Sequence, residues 1–577
     1  IGKSPEIRRR DNAFLELILR FLGNQIDFDL GDEQTLHCWG EVTTCEGKPA
    51  LRVGKMTYHA VVLPELKTIS PSTLELLATF VKAGGKLLIL GQAPALLDGR
   101  PAPEIADVFR GATIHGNLGS VVRELTGIPK DYRFSCLQDA LPIHINYRKD
   151  QRYQYFFIFN GDWKEARSCR LSLEGCKSAI ILPGTDAPPM PVIRKQCDFG
   201  TEFAFDIPAG SSVMLLAEAT QAPFTTDEAL PQAIATTLEL TPQWSLSRKH
   251  PNSLVLEFAS FRKGDGDYSP VYPILAIHDM LTNEDYRGPL TLRFAFKSDI
   301  RLDNLKLALE SPHDHVVSLN GVNIPVAVDG YFWDKSFETI PLTAPVLPGE
   351  NVLEVSRQYM PLARFRSSIT SLFENLPGVE LECMYLVGDF GVWSSRLPTR
   401  THCNKMDHRF ALGTETDSFT GELVDAGYPF YTGTMSLTQT VTIPQSLAGK
   451  RASIKLEGLT SCLARIFVNG EDKGIIAWEP NELDIGVLQQ GEVTIGLDIT
   501  NTLRNLLGPY HRPKGEFGEA WGGYGYPNLP WIGAVDEVTR KPIPNWQDHR
   551  IPDTNAWTED YMLVSNGLQG AYLIVRE

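Results

Sequence analysis

Long apolar runs are missing from this 577-residue chain; stretches such as LVLEF and VVLPEL are the most it offers. These fall far short of the ~20 residues a helix needs to cross a bilayer, so no membrane helix is expected. Positive charge is also short: 54 Lys and Arg stand against 70 Asp and Glu, a net charge of -16. Such a field repels phosphate backbones and anionic lipid, which argues against a sequence-independent nucleic-acid binder. The nine cysteines include no CxxC and no dense framework, so they read as free thiols. His402, Cys403, Asp407 and His408 lie close in sequence but lack metal-ligand spacing. There is no N-x-S/T sequon and no signal-peptide pattern before the first helix. A reducing cytoplasm fits this set. A secreted or periplasmic location stays open, because the chain begins at Ile1 rather than Met.

Familiar catalytic signatures are absent as well. No GxSxG, GxxxxGK[ST], HExxH or GxGxxG stands in a usable context. The DFG at Asp389–Gly391 comes without a Gly-rich phosphate loop, a strand Lys or a catalytic HRD, so a kinase is excluded. Asp265 and Asp267 in KGDGDYS could contribute to a structural calcium site but are too few for six to eight oxygen ligands. No cofactor is expected.

What is abundant is turn chemistry and aromatic mass: 48 Gly, 39 Pro, and 10 Trp with 18 Tyr and 27 Phe. That favours many short strands joined by turns. Residues 12–22 predict a helix whose face carries Phe14, Leu15, Ile18, Leu19 and Leu22. QIDFDLGDEQTL reads as a short strand and an acidic turn, with Asp27, Asp29, Asp32 and Glu33 starting or capping a scaffold element. YHAVVLPEL and KLLILG read as strands buried on both faces. Between them lies a helix with Ser70 as cap, Pro71 in its first turn and Gly84-Gly85 at its end. Residues 1–138 are therefore expected to form a doubly wound α/β domain, amidotransferase-like but without the nucleophilic Cys that activity requires. A helix comes where a leading strand is expected, so this domain reads as truncated at its start.

From about residue 139 the period changes to two. Residues 139–222 predict a small antiparallel β-sandwich, and EATQAPFTTDEALPQAIATT reads as a linker or framing helix. An internal repeat follows. LKLALESPHDHVVSLNGVNIP (305–325) matches IKLEGLTSCLARIFVNGEDKG (454–474), each with an Asn-Gly hairpin signal and then a Trp, Trp333 or Trp478. Two jelly-roll domains are expected, 223–410 and 411–577, the second carrying an aromatic-rich tail. The fold class is thus multidomain and mainly β.

Sugar recognition needs aromatic faces for ring C–H groups and carboxylates or Arg for hydroxyls. GELVDAGYPFYTG supplies Asp425, Tyr428, Phe430 and Tyr431, and the tail supplies His511, Trp521, Trp531 and further aromatics. The alternative is that these aromatics fasten an irregular tail to a neighbouring domain.

The order of these parts resembles the C-terminal half of large bacterial glycoside hydrolases, in particular the α-L-rhamnosidase-like proteins often labelled family 2 sugar-binding-domain hydrolases. The resemblance is carried by IDFDLGDEQTL, the 58–91 segment, YLVGDFGV, AGYPFYTG and TNTLRNLLGPYHRP. It implies carbohydrate degradation, an oligo- or polysaccharide partner, and galactose-binding-like jelly rolls. It also implies a TIM-barrel catalytic domain N-terminal to this chain or associated with it, which supplies the carboxylates for glycosidic cleavage. No barrel fits before the first helix, so the chain is expected to be the accessory, non-barrel portion, with catalytic residues unassigned. A stand-alone carbohydrate-binding or assembly module is the alternative. A third reading puts a site between the jelly rolls, using Asp389, Asp425, Arg504 and His511.

Overall fold

The computed structural model describes all residues except 1–4, 46, 104, 129, 139, 141, 163–164, 177, 183–189, 219–233, 362–377, 401–402, 480, 509, 512–557 and 577. The described residues are mainly β, and they fall into two compact units, Ile1–Pro231 and Gln232–Glu577.

In the first unit, strands Ala60–Leu63, Lys86–Leu90 and Thr113–His115 run parallel. The middle strand shows why its sequence is apolar throughout. Leu87 and Ile89 enter one core with Leu74 and Leu77 of helix Pro71–Lys82. Leu88 enters the opposite core with Leu17, Phe21, Val121 and Leu125. Each side chain so buried contributes roughly 1.5–3 kcal/mol, which is why neither face tolerates polar residues. Ser70 caps helix Pro71–Lys82 through its side chain, accepting from the Thr73 N–H at 3.3 Å, and Gly84 follows at φ +87°.

Two details differ from expectation. The first helix runs Pro5–Gly23 and faces the sheet with Leu17 and Phe21, whereas Phe14 (39% exposed) and Leu19 (46%) point outward. Leu15, Ile18 and Leu22 are half-buried, so the buried face is rotated from the expected one; apolar residues encircle this helix, and periodicity alone does not fix the face. No strand forms over 26–32; instead Asp32 caps a short helix Glu33–Trp39, accepting from Thr35 N–H at 2.9 Å. Asp29 accepts from the Tyr58 hydroxyl at 2.7 Å.

The same unit contains two antiparallel sheets around one core that includes Phe156, Leu171, Phe203 and Leu215. Its strands include Tyr132–Cys136, Tyr153–Asn160, Arg167–Leu173, Gly200–Ile207 and Ser212–Glu218.

In the second unit the internal repeat becomes a repeated topology. One sheet joins Asn252–Leu256, Met384–Gly388, Lys306–Glu310 and Asp334–Pro341 in that order. A second places Ile234–Glu239, Gly570–Arg576, Arg451–Glu457 and Glu482–Val487 in the same four positions. The companion sheets correspond likewise. Phe258–Lys263, Gly288–Ser298, Gly349–Tyr359, Val316–Leu319 and Val322–Ile324 match Trp244–Arg248, Thr434–Ile443, Gly491–Thr500, Leu463–Val468 and Glu471–Ile476. Both Asn-Gly pairs make hairpin turns with positive φ at each residue: +52° and +78° at Asn320-Gly321, +51° and +81° at Asn469-Gly470. Each Asn side chain also accepts a strand N–H, from Val352 at 2.9 Å and Thr494 at 2.8 Å. Pairing does not follow chain order. Residues 234–248, on the stretch read as a linker or framing helix and beyond it, supply two strands, one an edge strand on 570–576 and one that pairs with 434–443. The strands of the other sandwich lie between them in sequence.

Candidate functional site

Arg248, at the end of strand Trp244–Arg248, gathers a polar cluster within the second unit. Its Nε and Nη2 form a fork on Glu415 at 2.5 and 3.1 Å, and Nη2 also reaches Asp389 at 2.6 Å. Nη1 donates to the carbonyl of His250 at 3.1 Å. The guanidinium is 18% exposed while Asp389 is 83% exposed, so the cluster has a buried root and an open tip. Glu415 also accepts from the Tyr428 hydroxyl at 3.1 Å. The two carboxylates raise the Arg248 pKa further above its ordinary range, Glu415 more than Asp389. A fork-on-carboxylate geometry of this kind fixes both partners in orientation.

Beside it lies an aromatic wall. The His250 ring sits 5.1 Å from that of Trp333, which is 39% exposed and held at φ +62°. A left-handed Trp is a costly conformation, of order 1–3 kcal/mol, and such strain concentrates at functional positions. His250 is positioned from behind: the Tyr431 hydroxyl lies 3.3 Å from its N–H, and its Nδ1 accepts from Thr434 N–H at 3.3 Å. A Cβ on Gly433 would collide with its ring. Glycines similarly frame Trp393: a Cβ on Gly391, Gly413 or Gly427 would fall within 2.6–2.8 Å of that indole. The indole N–H donates to Thr414 at 3.1 Å, next to Glu415. The glycines of DFG and AGYPFYTG thus make room for the side chains that hold the cluster.

Of the residues singled out from sequence, Asp389, Tyr428 and Tyr431 come together here, but not in the expected way. Tyr428 and Tyr431 are 3% and 1% exposed, so their rings are core and only their hydroxyls serve the cluster. Asp425 stands apart, paired with Arg400. Arg504 donates to the carbonyl of Met562 at 3.4 Å, and His511 is buried against Glu257 at 3.0 Å. Of the residues of the third reading, Asp389 bonds Arg248, while Asp425, Arg504 and His511 bond Arg400, the Met562 carbonyl and Glu257. Trp521 and Trp531 lie outside the described residues. Arg248, His250 and Glu415 carry no local signal in the sequence, and Trp333 is legible there only as a marker of the repeat.

A recess with about 420 Å³ of empty volume lies elsewhere in this unit, lined among others by Glu310, Glu380, Glu382, His315 and Arg357. Burial, and then the Glu380 and Glu310 charges, push the Glu382 carboxyl up to about 7. His315 is held down to about 4 by burial and by Arg357. It is therefore neutral, so a ring N–H can donate to the Ser311 carbonyl at 3.0 Å. Glu382 keeps its proton in the folded chain up to about pH 7, whereas the unfolded chain releases it near 4.5. Its contribution to stability is full below 4.5 and is lost as pH rises through 7. Glu382→Gln is expected to flatten the decline in denaturation midpoint between pH 5 and 7; an unchanged slope would refute this assignment.

Among the described residues, no three His, Cys, Asp or Glu side chains stand close enough to share a metal ion, and no helix is long and apolar enough to cross a membrane.

No family model matches the chain, and no curated protein matches its sequence. Among solved structures, a rhamnosidase from Novosphingobium sp. PP1Y aligns at 13% identity and a TM-score of 0.39, over 92% of this chain and 35% of that one. A GH42 exo-carrageenase from Bacteroides ovatus aligns at 12% identity and a TM-score of 0.26, over 36% of this chain and 26% of that one. A GH2 beta-galacturonidase from Eisenbergiella tayi aligns at 11% identity and a TM-score of 0.17, over 44% and 37%. The chain spans about a third of the length of the rhamnosidase.

Proposed function

We propose that this chain is the carbohydrate-binding, non-barrel portion of a rhamnosidase-like glycoside hydrolase, with its sugar contact at Arg248, Asp389 and Trp333. The observation that carries the reading is one exposed carboxylate and one exposed, strained indole, joined through a single guanidinium and the His250 segment. Asp389 offers free oxygen lone pairs for sugar hydroxyls, and Trp333 offers a flat apolar face for ring C–H groups. The two sandwiches of like strand order are read as galactose-binding-like jelly rolls. Trp521 and Trp531 are proposed as further sugar contacts.

The cluster suits binding better than cleavage. Asp389 and Glu415 both bond to the one Arg248 guanidinium, whereas glycosidic cleavage uses two carboxyl groups placed independently about the scissile bond. The acid–base pair is assigned to a TIM-barrel domain elsewhere in the protein or in a partner.

The test is a glycan array followed by titration calorimetry on the best oligosaccharide, alongside assays with aryl rhamnosides. Binding without turnover is expected, weakened about tenfold or more by Asp389→Ala, since a hydrogen bond to a charged group is worth roughly 1.5–3 kcal/mol. Trp333→Ala should weaken it to a similar degree. A chain that binds no glycan, or variants that bind as well as the original, would overturn the assignment.

A further inference from the structure

Cys136 and Cys169 are 33 positions apart in sequence, yet their Sγ atoms lie 3.4 Å apart. The two residues stand directly opposite each other on the antiparallel strands Tyr132–Cys136 and Arg167–Leu173. The ladder position matters. The Leu137 N–H donates to the Ser168 carbonyl at 3.0 Å, so that neighbouring pair occupies a hydrogen-bonded position. Positions alternate along an antiparallel ladder, which puts Cys136 and Cys169 at the close, non-hydrogen-bonded position, where opposed Cα atoms sit ~4.5 Å apart. A disulfide spans Cα separations of roughly 4.4–6.8 Å, so the backbone already meets its requirement and only side-chain rotation remains.

We infer that Cys136 and Cys169 form a redox-convertible cross-strand dithiol, closed by a small-molecule disulfide such as oxidised glutathione and reopened by thiol reductants. Cys169 is buried, whereas Cys136 is half-buried and is the sulfur a reagent reaches first. The Cys136 thiolate attacks one sulfur of oxidised glutathione, forming a mixed disulfide and releasing one glutathione thiolate. That thiolate takes up a proton equivalent to the one Cys136 gave up. Cys169 then attacks the Cys136 sulfur, the mixed disulfide breaks, and the second glutathione leaves with the proton from Cys169. Two protein thiols are oxidised and one glutathione disulfide is reduced to two thiols. Burial first, and the neighbouring Cys136 sulfur next, hold the Cys169 thiol far above its ordinary pKa. The second step is therefore the slow one, and it should accelerate as pH rises.

The full chain is equilibrated in reduced and oxidised glutathione buffers, quenched in acid, unfolded, and its thiols counted and mapped by peptide mass. All nine cysteines are thiols in the reduced chain. The expected result is a loss of two thiols and a single Cys136–Cys169 cross-linked peptide, reversed by dithiothreitol. Cys136→Ser should leave no intramolecular bond at Cys169. Retention of every thiol in oxidised glutathione, or a bond mapped to a different pair, would overturn the inference.

Discussion

His511→Ala is expected to destabilise the second unit by about 3–5 kcal/mol, because it strands a carboxylate in the protein interior. His511 Nε2 lies 3.0 Å from Glu257 Oε2, and its Nδ1 lies 3.2 Å from the carbonyl of Asp560. Both ring nitrogens thus face acceptors, and only the imidazolium has two N–H groups to donate. Histidine and glutamate are 7% and 4% exposed, enclosed by Phe258, Tyr510 and Tyr561. Burial alone would lower the His511 pKa, but the charge and hydrogen bond of Glu257 outweigh it and leave it raised. A raised folded-state value means that the stabilisation is complete below the ordinary 6.5 and disappears as pH climbs through the folded value. Amide exchange at Tyr561–Leu563, the strand that follows this contact, should accelerate by about two to four decades in the variant at pH 6. The difference from the original should shrink at high pH. Replacing both partners with leucine should cost less than removing histidine alone, since no charge is left buried. Equal exchange rates in the original and His511→Ala would contradict the ion-pair assignment.

This contact also shows where the sequence was informative and where it was not. LRNLLGPYH is recognisable as a motif, and in sequence its histidine reads as a sugar-facing residue. Its partner Glu257 lies 254 positions away, and nothing local announces the pairing. The same distance problem hid the Arg248 cluster, whose partners are 141 and 167 positions off. Local signals fared better. Asn-Gly pairs specify left-handed φ, so the repeat is legible and the structure carries it through two sets of sheets whose shared strands follow the same order. Ser70 and Pro71 marked a helix start because capping is a contact between residues three apart. Burial was the least legible quantity. Tyr428 and Tyr431 occur in a Gly-rich aromatic segment that a surface loop and a core corner would both produce. Only packing beneath Trp393 and His250 tells the two apart.

Arg248→Met should separate the two roles of the cluster. The substitution keeps most of the aliphatic volume and removes every donor that holds Glu415, apart from the Tyr428 hydroxyl. Glu415 is half-buried, so the loss is smaller than for a fully enclosed ion: about 2–3 kcal/mol in the unfolding free energy of this unit. Asp389, being 83% exposed, is rehydrated when the guanidinium goes and adds little to that cost. Asp389→Asn should accordingly change stability by less than ~1 kcal/mol while weakening glycan binding about tenfold. Arg248→Lys is not conservative here. A single ammonium cannot fork onto Glu415, reach Asp389 and bond the His250 carbonyl at once, so both properties should fall partway. The decisive variant is Arg248→Met combined with Glu415→Gln. Removing the stranded charge should restore most of the lost stability, yet Asp389 and the His250 segment would still lack the group that orients them. Binding should therefore stay weak in a chain whose folding has recovered. Binding that recovers together with stability would mean that Arg248 contributes through the fold alone.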